Sequence, residues 1–200
     1  MDTNALFKIG YGLYVLTASE NGKDNGCIIN TVMQLTSSPI QIAIAVNKNN
    51  YTTGMVQRTK KFNISVLSEG VGFDVFKHFG FQSGKDVDKF LTFDAVKRTP
   101  NEVLYLTSNT NAYLSAYVKQ ELDLGTHILF IAQLVDSKIL SEKQTVTYDY
   151  YQKNIKQVAS VSMQKGWRCK ICGFVYEQEE LPSDYICPIC KHGAVDFEKI

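Results

Sequence analysis

The stretch Trp167-Arg-Cys-Lys-Ile-Cys-Gly-Phe-Val-Tyr176, followed by Leu181-Pro-Ser-Asp-Tyr-Ile-Cys-Pro-Ile-Cys190 and closed by Phe197-Glu198, sets the organisation of this 200-residue chain. Cys169 and Cys172 form one C-x-x-C pair and Cys187 and Cys190 a second, so four of the five cysteines fall in two matched pairs within one short segment. Two such pairs are a metal signature. Each pair sits on a tight turn that aims two sulfurs at one point, and two facing turns make a tetrahedral S4 cage suited to zinc or iron. A segment this short cannot hold itself together by apolar burial alone, so binding the metal is expected to fold it.

The residues around the cysteines bear on which metal. Trp167, Phe174, Tyr176, Tyr185 and Phe197 would pack an apolar shell around one site. A structural zinc ribbon has no need of such a shell, whereas an electron carrier benefits from one that limits solvent access and tunes the metal. The aromatic two residues ahead of the first cysteine, C-x-x-C-G-[FY]-x-[YH], C-P-x-C and the closing Phe-Glu together resemble a rubredoxin. That resemblance implies one iron held by Cys169, Cys172, Cys187 and Cys190 and passed one electron at a time. The connection between the pairs is shorter than in the commonest rubredoxins and is similar to truncated modules appended to larger redox proteins. A structural zinc ribbon is the alternative reading of the same four cysteines.

Length allows one medium domain plus a small one. Hydrophobic residues at 44% and aromatic residues at 12% are ample for a core, and a formal net charge of +1 gives no footprint for nucleic acid or membrane. From Trp167 onward there are four Lys/Arg against six Asp/Glu, a net −2, which leaves 17 against 14, or +3, for the rest. The small module is thus the acidic partner of a mildly basic body. The chain shows no charged-then-apolar leader and no apolar run of membrane-spanning length, and Cys27 has no even set of partners for disulfides, so a cytoplasmic location is expected.

From Met1 to about Ser141 short β-type runs alternate with turn clusters. Leu13-Tyr-Val-Leu-Thr17 precedes the turn-rich Glu20-Asn-Gly-Lys-Asp-Asn-Gly26, and Ile40 to Val46, Phe62 to Leu67, Tyr113 to Val118 and His127 to Val135 read as further strands. Only short helices fit, near Tyr51 to Arg58 and Phe73 to Phe79. Short connections favour an antiparallel barrel over a parallel sheet, which needs a long crossover between strands. Gly70-Val-Gly72 starts like a dinucleotide fingerprint but lacks the third glycine and a long helix, so it reads as a loop, and NAD(P)H would visit as a substrate.

Asn25 to Pro39, Asn47-Lys-Asn-Asn-Tyr-Thr-Thr53, Phe79-Gly-Phe-Gln-Ser-Gly-Lys-Asp86, Gly125-Thr-His127 and Thr147-Tyr-Asp-Tyr-Tyr151 together resemble the flavin reductase family, and its flavoredoxin branch in particular, over roughly residues 1 to 160. The resemblance implies a mainly β fold: an FMN-binding split β-barrel with short helices at 1–155, a linker at 156–166, and the small rubredoxin-like metal domain at 167–200. It also implies a homodimer with FMN at the subunit interface. An FMN phosphate needs N–H groups, hydroxyls and a cation at the start of a short helix, which Asn47, Lys48, Asn49, Tyr51 and Thr52 offer. Asn30, Thr31, Gln34 and Thr36 could bond the pyrimidine edge of the ring, and Ser83 and Lys85 could approach the phosphate or a neighbouring subunit. Each of these polar residues can equally be a turn or cap residue.

By resemblance His127 lies near flavin and nicotinamide, where it would orient rather than transfer, because the cofactors carry hydride chemistry themselves. A two-electron flavin and a one-electron iron on one chain form a short wire, with the tether raising the local concentration of one near the other. The arrangement resembles the high-molecular-weight rubredoxins of anaerobes, which take electrons from NADH and feed flavodiiron proteins that reduce nitric oxide or dioxygen. The alternatives are a flavin reductase that releases reduced FMN, and a non-catalytic flavin-binding scaffold with a zinc ribbon.

Overall fold

Asn21 and Gly22, with φ of 51° and 79°, make a two-residue turn between β1 (Tyr14–Glu20) and β2 (Lys23–Ile29). Two left-handed residues in succession match the twist of paired strands, which is why an Asn-Gly pair closes hairpins. The turn-rich segment expected over Glu20 to Gly26 is therefore only two residues of turn, and the rest belongs to strands. The computed structural model describes residues 2, 5, 8–156, 166–171, 173–188, 190 and 192–200. Cys172 and all of the expected linker between Lys156 and Gly166 lie outside the described residues.

The chain divides into two compact units, Met1–Ile155 and Lys156–Ile200. In the first, β1 and β2 are joined by β3 (Val32–Ser37), β4 (Ile40–Asn47), α1 (Tyr51–Thr59), β5 (Lys61–Leu67), α2 (Phe73–Gly80), β6 (Val96–Arg98), β7 (Leu104–Leu106), β8 (Thr110–Asp123) and β9 (His127–Ile139). Seven of these strands form one antiparallel sheet in the order β2-β1-β5-β8-β9-β4-β3, with β6 and β7 paired separately. The sheet is not closed, because β2 and β3 stand at opposite ends of it. Only Asn30 and Thr31 separate these strands in sequence, and neither takes the positive φ of a hairpin turn, so the strands part there and the chain itself spans the split. The mainly β architecture with short helices is the one expected, and beyond β9 a further short helix, α3 (Tyr148–Tyr150), runs into a π-helical turn at Tyr151–Ile155.

β1 is buried on both faces. Leu16 packs with Ile44, Val46, Met55, Phe62, Ile64 and Phe130, while its neighbour Val15 packs with Leu67, Val75, Phe76, Phe79 and Leu106 on the other side. Successive strand residues point to opposite faces, so one strand serves two cores. α1 is fixed at both ends: the Asn50 side chain accepts from the Thr52 N–H, and Lys60, left-handed at φ 57°, donates its N–H to the Val56 carbonyl. β3 differs from every other strand of the sheet in exposing both faces beyond Val32, with Met33 at 58% and Leu35 at 40%.

A tyrosine pair lies between β7 and β8. Tyr105 and Tyr113 pack at 4.2 Å between ring centroids, tilted by 33°, and the Tyr113 hydroxyl donates to Asp136 Oδ2 at 2.8 Å. Burial, with the carboxylate beside it, pushes the Tyr113 phenol up to about 12. The folded value is raised, so the stability this proton contributes is full below the ordinary tyrosine value and is lost as pH rises from there through about 12. In an alkaline titration followed by phenolate absorption, Tyr113→Phe will remove a late-titrating tyrosine and leave the earlier part of the curve unchanged. Loss of an early-titrating one would contradict the assignment.

The C-terminal unit is a three-stranded sheet of β10 (Trp167–Cys169), β11 (Val175–Tyr176) and β12 (Phe197–Lys199), with β10 in the middle. Among its described residues only Cys169, Cys187 and Phe197 form the buried core, with Trp167, Ile171, Phe174, Tyr176, Leu181, Tyr185 and Cys190 partly buried around them. Among the described residues no helix is long and apolar enough to cross a membrane.

Candidate functional sites

In the C-terminal unit the two cysteine turns are closed by matching bonds. Gly173 N donates to Cys169 O and Cys169 N to Phe174 O, both at 2.8 Å, and at the second turn Cys187 N donates to His192 O at 2.8 Å. Gly173 takes φ 80°, a left-handed position where a side chain would strain the turn. Sγ of Cys169, Cys187 and Cys190 all lie within 4.8 Å of one another, with Cys169 and Cys190 at 3.5 Å. That is far too long for a disulfide of about 2.05 Å. It is near the ~3.8 Å edge of a tetrahedron whose metal–sulfur bonds are ~2.3 Å.

Three soft thiol donors at this spacing fit a zinc or iron ion held by thiolates, and Cys172, the expected fourth ligand, lies outside the described residues. Cys169 and Cys187 are buried and Cys190 is half-buried, so the Cys190 side is the exposed edge of the cluster. Tyr185 packs on Tyr176 at 4.4 Å with the rings tilted by 46°, and meets Phe197 edge-on at 5.4 Å. Burial, with Cys187 adding its charge, pushes the Tyr185 phenol up. The aromatic shell read from the sequence is thus in contact with itself and with the cysteines.

In the N-terminal unit a second cluster forms where β4 ends, α1 begins and β9 starts. Asn47 pairs directly with His127 across the sheet. Lys48 N donates to Thr126 O at 3.0 Å, Asn49 N to Asn47 Oδ1 at 2.8 Å, and Thr53 Oγ1 to Asn47 O at 2.7 Å. His127 Nδ1 meets Thr126 Oγ1 at 2.9 Å. The α1 N-terminus stands beside Asn47, Lys48, Asn49, Tyr51, Thr52 and His127; the N–H groups of Lys48, Asn49, Thr52 and Thr53 are already bonded within the protein, so it is the helix dipole and the surrounding side chains that suit an anion. Lys48 is committed: its ammonium pairs with Asp123 at 2.5 Å and holds that carboxyl below its ordinary range.

The other expected residues fall in three places. Asn30 and Thr31 sit at the split, bonded to each other at 3.0 Å, and Val32 beside them pairs with Ile44 near the Asn47 end of β4. Gln34 and Thr36 pair with Ile42 and Gln41, five and six residues from Asn47 along β4, or roughly 17–20 Å at about 3.3 Å per residue. They lie on the exposed strand at a bulge, where Gln34 Nε2 donates to Thr36 O at 3.2 Å and Thr36 Oγ1 to Pro39 O. One protomer thus does not bring Gln34 and Thr36 to the α1 N-terminus. Ser83 and Lys85 flank Gly84 in the 81–95 loop, whose Gly84 carbonyl accepts from Lys23 Nζ at 3.0 Å, and Lys23 in turn lies over the Tyr51 ring at 4.8 Å.

The structure adds residues that the sequence did not single out. Asn25 is 1% exposed, and its Nδ2 donates to Thr52 Oγ1 at 2.8 Å while its Oδ1 has no partner among the described residues. An orphaned buried acceptor costs about 1–3 kcal/mol, which a ligand hydroxyl or N–H would recover. Lys89 is 3% exposed, and its ammonium donates to Gly26 O at 2.8 Å and Phe79 O at 2.9 Å, with no carboxylate in salt-bridge range among the described residues. Burial pushes this ammonium down. Cys27 is buried beside Thr52 and Asn50, and its thiol is pushed up, so it stays protonated. An orphaned amide oxygen and a helix N-terminus are joined through Thr52, an arrangement that fits a phosphorylated, hydroxyl-bearing group such as FMN.

Comparison with known proteins agrees with both halves. The Flavin reductase like domain family matches residues 6–159, and the Rubrerythrin, rubredoxin-like domain family matches residues 167–198. A High molecular weight rubredoxin of Moorella thermoacetica is 35% identical over an alignment of 230 residues that takes in 100% of both chains. A Ferric-chelate reductase (NAD(P)H) of Archaeoglobus fulgidus is 40% identical over 154 residues, covering 76% of this chain and 89% of its own. Among solved structures, the Streptomyces globisporus C-1027 NADH:FAD oxidoreductase superposes with a TM-score of 0.65 at 20% identity, over 72% of this chain and 84% of its own, a likeness of fold. The chain belongs to the flavin reductase-like family, in the form that carries a rubredoxin-like domain at its C-terminal end.

Proposed function

We propose that this protein is an NAD(P)H-dependent electron-transfer oxidoreductase that takes a hydride at the β4–α1 cluster and hands single electrons to a protein acceptor of the flavodiiron class. The single observation that carries the reading is the presence, on one chain, of an anion-suited cluster at Asn47–Thr52 with His127 and a separate cluster of cysteine sulfurs. When bound, FMN accepts the hydride and iron in thiolates carries one electron at a time. The start of α1, through its dipole and the side chains of Asn47, Asn49 and Tyr51, holds the phosphate, and Asn30 and Thr31 at the split bond the ring edge. His127, locked beside Asn47 by strand pairing, orients the nicotinamide. Cys169, Cys172, Cys187 and Cys190 hold the iron, with Phe197 and the tyrosines excluding water from it.

The proposal extends to a homodimer, which the exposed apolar surface supports. β3 leaves Met33 and Leu35 exposed, and Leu122 and Leu124, at the far end of β8 and just beyond it, stand 57% and 51% exposed. Cover by a second copy removes this apolar surface from water and places the edge strand that carries Gln34 and Thr36 at the subunit interface. Location in the cytoplasm is part of the proposal.

The test is an anaerobic NADH titration of iron- and FMN-loaded protein, following flavin and ferric-thiolate absorption together. Bleaching of both, the iron following at a rate independent of protein concentration, is the expected result. Bleaching of flavin alone would favour the second reading, a reductase that releases reduced FMN, which has its own support in the ferric-chelate reductase relative that covers 76% of the chain. A colourless, zinc-loaded protein would favour the scaffold reading. For His127→Asn, the KM for NADH will rise about tenfold, as expected for one lost polar contact, with FMN affinity within twofold of wild type. A kcat loss at unchanged KM would remove His127 from the nicotinamide.

A further inference from the structure

The 81–95 loop has no strand or helix of its own, yet its two halves are anchored very differently. Its later half is rooted in α2: Phe90 and Phe93 pack on Phe79 at 5.6 and 5.1 Å, Phe93 also lies 5.5 Å from His78, and His78 Nε2 donates to Lys89 O at 2.5 Å. From that root the Lys89 ammonium reaches into the core to the carbonyls of Gly26 on β2 and Phe79 on α2. Its earlier half, with Ser83, Lys85, Asp86, Val87 and Asp88 exposed, touches the body through Gly84. Lys23 holds the Gly84 carbonyl, and a Cβ at Gly84 would come within 2.3 Å of Asn25 Oδ1. Gly84 therefore covers the orphaned Asn25 oxygen, next to Thr52 at the start of α1.

We propose that the 81–95 loop is the retaining strap of the flavin site, and that Lys89 is the positioning residue that decides whether FMN stays on the protein between turnovers. The argument rests on the FMN-site reading given above. A loop of about 15 residues without regular structure is uncommon in a compact domain and usually serves a site. This one has a rigid root, a tip that meets the body at Gly84 with exposed residues on either side, and beneath it the Asn25 oxygen with no partner among the described residues. A buried lysine spent on two carbonyls is a costly way to hold a surface loop, and the cost is understandable where the loop's position is the functional variable. With the strap seated, Lys23 links Gly84 to the Tyr51 ring at the start of α1, and the closed loop slows the escape of a phosphorylated flavin.

The test uses the full-length chain with iron bound, comparing wild type with Lys89→Met, Lys89→Arg and Lys23→Gln. Two quantities are read: the FMN dissociation rate into an excess of apo-flavoprotein trap, and hydrogen exchange of loop amides in the FMN-free protein. Lys89→Met will speed FMN release by about ten- to a hundredfold, the scale of lost charge-assisted bonds, and speed exchange over 83–91 while β4, β5 and β9 stay protected. Lys89→Arg will restore part of both, and Lys23→Gln will reproduce both to a smaller degree. Faster loop exchange with an unchanged FMN release rate would overturn the proposal while leaving the flavin site intact. If Lys89→Met does not fold, Lys23→Gln decides by the same criterion. Wild-type protein that binds no FMN would overturn the site reading, and the strap with it, before any variant is made.

Discussion

With Cys169 replaced by serine, the purified protein will be yellow without the red of a ferric-thiolate centre, will reduce flavin from NADH within about twofold of wild type, and will lose essentially all transfer to the proposed protein acceptor under anaerobic conditions. The size of this effect follows from how little else holds the C-terminal unit. Its buried core among the described residues is three side chains, two of them cysteines. A unit of this size buries too little apolar surface to be stable alone, and the free energy of binding a structural metal in a thiolate cage, about 10–16 kcal/mol for zinc-finger peptides, becomes its folding free energy. Removing one of the buried sulfurs therefore removes the fold and not just one ligand. Hydrogen exchange separates the consequences: β10 and β12 amides will exchange freely, while β5 and β8 amides keep wild-type protection. If acceptor reduction survived the substitution, electrons would be leaving the flavin directly and the metal unit would not be on their path. Cys190→Ser tests the same point from the more exposed edge, where a weaker, partly occupied site is the expected outcome.

How far the sequence alone reached depended on whether the deciding contacts were local. β4, β5, β8 and β9 announced themselves by alternation, and α1 and α2 by short amphipathic stretches between turn residues, so their places were legible. β2 was not. Its first half, Lys23-Asp-Asn-Gly26, reads as a turn because Asn25 and Gly26 are buried there for tertiary reasons: Asn25 bonds Thr52, and Gly26 leaves room for the Phe79 ring, 3.1 Å from where a Cβ would stand. β3 carries no periodic signal because neither of its faces is covered within the chain. The same division runs through the candidate sites. The cysteine pairs and the Asn47–Thr52 stretch lie in continuous segments whose spacing encodes their geometry. Lys89 looks like one more solvated lysine in a polar loop, and only the fold shows that its partners, Gly26 and Phe79, sit 63 and 10 residues away.

Asn63→Leu will destabilise the flavin unit by about 3 kcal/mol, the sum expected for several lost buried hydrogen bonds with partial rescue. Asn63 is wholly buried on β5, and its Nδ2 donates to Thr99 Oγ1 at 2.9 Å, Val103 O at 2.8 Å and Leu104 O at 3.2 Å, while its Oδ1 accepts from Asn101 Nδ2 at 3.0 Å. These bonds tie the turn between β6 and β7 to the centre of the sheet. Leucine has nearly the same shape and none of the partners. The loss is not total, because Val103 O keeps the Thr99 N–H at 3.1 Å, Leu104 O keeps Thr17 Oγ1 at 2.5 Å and Asn101 Nδ2 keeps Phe62 O at 3.3 Å. For a unit of this size the midpoint of thermal unfolding falls by roughly 6–12 °C. Asn101→Leu will cost a similar amount, and the double variant distinctly less than the sum, since both singles break the same Asn63–Asn101 bond. Strict additivity would mean that the two amides act separately. No member of this network belongs to the cluster around Asn47, so in the folded fraction of either variant the KM for NADH will stay at the wild-type value. A shift in KM would instead mean that the sheet transmits strain from β5 to the α1 N-terminus.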